Sequence, residues 1–337
     1  MDELDTFLVG SPLTGGWVIR EPRHVQRDSA SACRSYVAEN EKGDHAFVKV
    51  LDPRANGSLE EAQKHLSLFI YEKDVVDVCG NRHMHRVIRG LEYGTLKTPE
   101  PFSMSLHYLI FEWADCDLRS QIDLDERSHL AVVLRWLHHA ATGLQQLHFS
   151  EIAHQDIKPA NILVMPNRTA KLGDLGRAHS QSIPRPNLKE ERDPTYTAPE
   201  LLYGGSIQSF DDRCAVDMYA FGGLAFFLVT GMSLNAELTR ELAPMHHWAT
   251  WRGTLEDAMP YVRRAFEVVM QRAIANLDPA VLGRLAPAMR QLCDPDSMQR
   301  GHPSNRAGNG PRFGFQRYVS IFNVLASEAE WRRKRVA

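Results

Sequence analysis

His154-Gln155-Asp156-Ile157-Lys158-Pro159-Ala160-Asn161-Ile162-Leu163 decides the reading of this chain, together with Asp174-Leu175-Gly176, which begins thirteen residues after Asn161. The first stretch places an acid, a cation and an amide at fixed offsets. The second adds another acid followed by glycine. Transfer of a phosphoryl group from a metal-bound nucleotide needs this set. A carboxylate orients the attacking hydroxyl, a cation neutralises the moving group, and oxygen ligands hold the metal. An Asp-Gly pair alone signals only a turn. An Asp with Asn five residues on and a second Asp at this distance is far more specific, and its context decides what it means.

The pattern resembles the catalytic loop H-R-D-x-K-x-x-N of protein kinases, and Asp174-Leu175-Gly176 resembles their D-F-G metal-binding motif. The likeness continues downstream. Ala198-Pro199-Glu200 matches the A-P-E that closes the activation segment, and Asp217-Met218-Tyr219-Ala220-Phe221-Gly222 matches the opening of the central helix. Arg300 matches the late arginine that pairs with the A-P-E glutamate. Such an ion pair is expected to be buried and structural. The implied fold is α+β and two-lobed, a single domain over residues 1–337. A small β-rich lobe (1–112), a hinge (113–117) and a larger helical lobe (118–337) are expected.

Composition agrees with one large folded unit. The chain has 337 residues, 43% of them hydrophobic, and a net charge of −3. Nothing in that balance calls for a nucleic-acid partner. Five widely spaced cysteines (Cys33, Cys79, Cys116, Cys214, Cys293) lack a C-x-x-C pair. That points away from a disulfide framework and toward a reducing cytoplasm. The acidic start Met1-Asp2-Glu3-Leu4-Asp5 does not read as a secretory signal. The apolar run Met218–Met232 has 15 residues, short of the roughly 20 that a membrane span needs, so a buried core helix is expected. The basic run Arg332-Arg333-Lys334-Arg335 reads as a solvated helix end.

Periodicity orders the elements. Tyr36-Val37-Ala38 and Ala46 to Val50 flank a turn-rich stretch and predict a hairpin. Leu59 to Val78 has helical spacing, and Tyr108 to Phe111 reads as strand. From Val133 to Leu147 one broad apolar stripe predicts a helix. Leu255 to Leu292 is expected to be helical, broken near Asp278-Pro279 and at Pro287, with a loop over Gly301–Gly314 and a last helix from about Gln316 to Arg333.

The resemblance assigns roles residue by residue. Lys49 matches the strand lysine that holds the nucleotide phosphates, with Glu72 as its helix partner and Glu60 and Glu61 as rivals. Asp156 is the candidate base or orienter, and Lys158 the cation beside the γ-phosphate. Asn161 and Asp174 are the candidate metal ligands for Mg²⁺, with Mn²⁺ as a substitute, and ATP is the implied cofactor. Phe111 stands at the gatekeeper position. Glu112-Trp113-Ala114 forms the hinge, where backbone groups of Glu112 and Ala114 would meet the adenine edge. Leu163 is the floor beneath it. Asp117 either binds the ribose or caps the next helix.

Lys158, Glu200 and Arg300 favour a serine/threonine protein kinase, capable of autophosphorylation, over small-molecule kinases of the aminoglycoside type. Ser180, Ser182, Thr195 and Thr197 are candidate modified positions. Four departures stand against the family pattern. No glycine occurs between Trp17 and Val37, where a phosphate-cradling loop is expected, and Ser29 to Ala32 offer only small residues. Phe47 replaces a small alanine above the adenine, unless the strand register is one residue off. Gln155 replaces the arginine that pairs with an activation-segment phosphate, so dependence on that phosphate is not expected. Leu175 replaces phenylalanine. The glycine-free loop and Phe47 support a second reading, a nucleotide-binding or scaffolding pseudokinase. They also mark a divergent member, in keeping with a bacterial source. Finally, residues 232–292 exceed the family's usual length and offer either extra core or a docking surface for a protein partner.

Overall fold

The computed structural model describes residues 3–23, 32–55, 58–98, 104–124, 130–186 and 192–336. Most of the glycine-free loop, including Ser29 to Ser31, lies outside them. The fold is α+β, with an antiparallel sheet followed by a larger helical part.

The sheet contains β1 (Trp17–Pro22), β2 (Cys33–Asn40), β3 (His45–Leu51), β4 (Gly90–Lys97) and β5 (Ser105–Glu112) in the order β1-β2-β3-β5-β4. Strand alternation gives it two different faces. Ala46, Val48 and Val50 of β3 join Ile19, Tyr36, Tyr108 and Ile110 in one core. Leu4 and Leu8 of the short helix α1 (Glu3–Leu8) cover that core. Phe47, Lys49 and Leu51 therefore point the other way. There the long helix α2 (Leu59–Asn81) packs, its start capped by Ser58, whose side chain accepts from the Glu61 N–H.

Beyond β5 the chain forms the short strand β6 (Cys116–Asp117) and α3 (Leu118–Leu124), then α4 (Leu130–Phe149). Residues His154 to Asn161 lie between β7 (Ile152–Ala153) and β8 (Ile162–Val164). They are followed, after β8, by β9 (Ala170–Leu172), β10 (His179–Ser180) and α5 (Pro199–Leu202). The helical lobe is completed by α6 (Phe210–Thr230), α7 (Leu234–Glu241), α8 (Leu255–Ala275), α9 (Pro279–Leu292), α10 (Pro303–Arg306) and α11 (Gln316–Val336).

Three expectations need correction. The central helix α6 begins at Phe210, set there by a capping box of Ser209 and Asp212, and is 21 residues long. Length therefore does not exclude a membrane span. Burial argues for a core helix instead, since 72% of its apolar window is enclosed by the rest of the fold. Pro287 does not break α9. Leu285, Ala288, Met289 and Leu292 are all buried, and that packing offsets the roughly 3 kcal/mol that an interior proline costs. The loop at 301–314 contains the short helix α10. The expansion at 232–292 contributes buried Val262, Phe266, Val269 and Met270 to the main core, while Met245 and Tyr261 stay exposed.

One buried histidine makes stability depend on pH. His139 of α4 is 6% exposed, and its Nδ1 accepts from the Ala170 N–H at 3.1 Å. Burial, then the nearby Arg86 charge, lowers its pKa to about 3. An unfolded histidine titrates near ~6.5. Between these values only the unfolded chain takes up the proton, so stability falls as pH drops through that window. The slope from this group approaches ~1.4 kcal/mol per pH unit. Urea midpoints from pH 6.5 to 4 are expected to fall more steeply for wild type than for His139→Gln. Equal slopes would contradict this.

Candidate active site

Lys49 reaches Glu72 with both carboxylate oxygens at 2.9 and 2.7 Å, and Asp174 Oδ1 at 3.4 Å. Of the three candidate partners, Glu72 is the one used. Glu60 pairs instead with Lys64 one helical turn on, and the Glu61 N–H takes part in the helix cap. Burial disfavours the Lys49 charge, but Glu72 and then Asp174 outweigh it and hold the ammonium well above its usual pKa. The Lys49 charge in turn holds the Asp174 carboxyl below its ordinary range. Asp174 itself is half exposed to the cleft.

Asp156 sits under three donors. Asn161 Nδ2 donates to its carboxylate at 2.8 Å and to its backbone carbonyl at 2.7 Å. Lys158 Nζ lies 3.1 Å from Oδ2, and Arg177 Nη1 lies 3.6 Å from Oδ1. Because Asn161 commits its Nδ2 to Asp156, its Oδ1 remains as a ligand atom. One amide oxygen and one carboxylate fit Mg²⁺, which takes few protein ligands and fills its octahedron with water and phosphate oxygens. Among the described residues, no cluster of three His, Cys, Asp or Glu side chains offers a closed metal cage.

The loop is shaped from below by Asp217 of α6. Its carboxylate is fully buried and accepts from the backbone N–H groups of His154 and Gln155, each at 2.7 Å. His148 Nε2 lies 2.8 Å away. Burial pushes this carboxyl up, yet the hydrogen bonds led by His148 hold it below its usual range. Gln155 is thereby kept at φ 65°, and Asp174 stands at φ 55°. Both are left-handed conformations that non-glycine residues rarely adopt and that concentrate at working sites. Gln155 spends its side-chain amide on the Arg213 carbonyl and on Asp217, so it is committed inside the fold.

Leu163 lies against Gly173, where an added Cβ would stand 2.6 Å from Leu163 Cδ1. Glycine there lets Leu163 and the strand entering Asp174 approach closely. The Asp115 N–H donates to the Val164 carbonyl, and Asp117 pairs with Leu163 across β6 and β8. Asp117 Oδ1 also accepts from the Ser120 N–H at 2.8 Å and from its hydroxyl at 3.1 Å, so it caps α3. Glu112 uses its side chain as well as its backbone. Its carboxylate takes Lys171 Nζ at 2.6 Å and the Arg89 N–H at 2.8 Å, riveting the hinge to β9 and to the residue before β4.

The register of β3 is as first read. Phe47 pairs with Phe111, two residues before Lys49, and points into the cleft. A residue unnoticed in the sequence joins it. Arg23 Nη1 and Nη2 each donate to the Ala114 carbonyl at 3.3 Å, and Nη2 also reaches that of Asp115 at 3.2 Å. Its guanidinium lies 4.5 Å from the Trp113 ring centre and 5.8 Å from that of Phe47. No local motif announces this bridge of more than ninety residues. Asn235 of α7 was also missed. It donates to the carbonyls of Pro194 and Thr197 and accepts from the Tyr219 hydroxyl, anchoring the segment before α5.

Leu175 is buried, and its turn packs on α2, as its apolar character suggests. Ser180 and Thr197 are buried, and the Thr197 hydroxyl donates to the Asp193 carbonyl. That leaves Ser182 and Thr195 as the accessible members of the four hydroxyls. Arg300 grips Glu200 through two parallel hydrogen bonds of 2.7 and 2.9 Å.

A family model described as "Protein kinase domain" matches residues 32–263. "Cell division control protein 2 homolog 3" of Trypanosoma brucei brucei is 27% identical over 197 residues, covering 55% of this chain and 61% of that protein. "Cyclin-dependent kinase 17" of Caenorhabditis elegans is 29% identical over 128 residues, 37% of this chain and 19% of its own length. "Serine/threonine-protein kinase SSN3" of Mycosarcoma maydis is 36% identical over 124 residues, 34% of this chain and 17% of that protein. The chain thus spans less than two thirds of each relative.

Proposed function

The chain belongs to the protein kinase family, and on that premise we propose that it transfers the γ-phosphoryl group of Mg²⁺-ATP to serine or threonine hydroxyls of a protein. The observation that carries this reading is the assembly of Lys49, Glu72, Asp156, Asn161 and Asp174 in one cleft, with Lys158 on Asp156. Asp156 orients the acceptor hydroxyl and takes its proton as the oxygen attacks phosphorus. Lys158 offsets the charge that builds on the transferred group. Lys49, fixed by Glu72, holds the nucleotide phosphates. Asn161 Oδ1 and Asp174 would hold the metal, which would supply positive charge to offset that of the phosphates. Backbone groups of Glu112 and Ala114 meet the adenine edge, Leu163 supports it, and Asp117 adds a ribose contact to its capping role.

The unit proposed is one kinase domain over 1–337, with autophosphorylation at Ser182 or Thr195. The wide spacing of its five cysteines, without a C-x-x-C pair, supports a reducing, cytoplasmic setting. Met245 and Tyr261 on the 232–292 expansion are the candidate contacts for a protein partner. One observation favours a pseudokinase as the second reading: Arg23 occupies the Ala114 and Asp115 carbonyls beside Phe47, where the adenine would have to bind. The Glu200–Arg300 clamp weighs against an aminoglycoside-type kinase.

Incubation of wild type and Asp174→Asn with Mg²⁺-ATP, a mixed serine, threonine and tyrosine peptide pool and an aminoglycoside separates these readings. Phosphate on serine or threonine, with wild type only, is expected by intact mass and fragment sequencing. Nucleotide binding without transfer would establish the second reading, and transfer to the aminoglycoside alone would overturn the first.

A further inference from the structure

We infer that Tyr71 is a positioning residue whose hydroxyl ties α2, and with it Glu72, to the segment that leaves Asp174, without any phosphate. Tyr71 precedes Glu72 in α2 and is 3% exposed. Its hydroxyl donates to the Ala178 carbonyl at 3.1 Å and accepts from the Ser180 N–H at 2.9 Å. Both hydrogen-bonding capacities of one oxygen are thus used on one stretch of backbone, 107 and 109 residues away in the chain.

Two further contacts extend the tie. The Arg185 guanidinium lies 5.7 Å from the Tyr71 ring centre, and its Nη2 donates to the Gly176 carbonyl at 3.2 Å. On the other side, His179 and Ser180 pair with Ala153 and Ile152 of β7, the strand that runs directly into the catalytic loop. A continuous path therefore leads from Glu72 through Tyr71 and β10 to His154 and Asp156. Gln155 cannot serve as a phosphate receptor in this path, because its amide is spent on Arg213 and Asp217. Swinging α2 outward would break the Lys49–Glu72 pair. It would also leave the buried Ser180 N–H and Ala178 carbonyl without their partner, a penalty that holds the helix in place.

This deepens the proposed kinase activity and rests on it only for turnover. The test compares phosphatase-treated wild type with Tyr71→Phe, which keeps the ring and its Arg185 contact and removes the oxygen. Hydrogen exchange at residues 178–181 and along α2 is expected to accelerate. Turnover is expected to drop roughly 10- to 100-fold, the loss of two hydrogen bonds, with the KM for peptide unchanged and the melting temperature within a few degrees. A purely structural tyrosine would lower the melting temperature and leave kcat of the folded protein at wild-type level, which overturns the inference. Unchanged exchange protection overturns it whatever the activity. If wild type transfers no phosphate, accelerated exchange in Tyr71→Phe still supports the tie and only the proposed function fails.

Discussion

Asp156→Asn is expected to turn over roughly 10²- to 10⁴-fold more slowly than wild type, the range that a positioned general base contributes. The substitution keeps the size of the side chain but removes its ability to accept a proton. It also changes the local hydrogen bonding. Asp156 now receives Asn161 Nδ2 at 2.8 Å and faces Lys158 at 3.1 Å and Arg177 at 3.6 Å. An amide there would turn an N–H₂ group toward at least one of these donors, so the acceptor site would also lose its orientation. Most of the nucleotide side is kept, because Lys49, Glu72 and Asp174 make their contacts without Asp156 and Asn161 retains its bond to the residue 156 backbone carbonyl. The KM for ATP should therefore stay within a few-fold while kcat collapses. Initial rates on the peptide substrate, with circular dichroism to confirm the fold, check this. A kcat within three-fold of wild type would remove Asp156 from the chemistry.

Glu200→Ala is expected to destabilise the fold by about 3–5 kcal/mol, the cost of leaving a buried charge without its partner. Arg300 is 0% exposed and cannot turn to water. Its Nε donates to the Asp294 carbonyl, Nη1 to that of Ala215, and the guanidinium lies 4.9 Å from the Tyr219 ring centre. Burial works against its charge, and Glu200 more than restores it. Glu200 is different, since 23% of its side chain reaches solvent. Arg300→Met, which fills most of the volume, leaves a carboxylate that water can still solvate. It should cost less than Glu200→Ala. The double variant Glu200→Ala/Arg300→Met should be more stable than Glu200→Ala alone, because the stranded charge is gone. Urea unfolding of the four proteins measures the cycle. Additive losses would show that the pair is not coupled.

Much of this site could be read before any fold was known, and the reason is local. Asp156, Lys158 and Asn161 lie within six residues. Chain geometry allows them few relative positions, so their spacing already implied a shared site. Gly173 and Asp174 follow on a short strand that pairs with the one leaving Asn161. The two faces of β3 were likewise implied by alternation, which put Lys49 and Phe47 on one side.

Other features depended on how distant elements pack. Lys49 had three candidate partners on α2, and only the rotation and seating of that helix selected Glu72 over Glu60 and Glu61. Asp117 read equally as ribose ligand or cap, and only the position of Ser120 revealed its capping bonds. The start of α6 rested on one capping box, and the persistence of α9 through Pro287 on its buried face.

The sequence by itself determined which chemistry this protein could attempt, because acid, cation, amide and second acid stand at spacings that short chain segments preserve. Only the tertiary structure decided how that set is held. Asp217 bends the backbone at Gln155, Tyr71 fastens α2 to the segment after Asp174, and Arg23 reaches the hinge. Each of these contacts joins residues more than sixty positions apart. A single polar side chain carries no local signal of so distant a partner, and only the packing of apolar surfaces brings the two together.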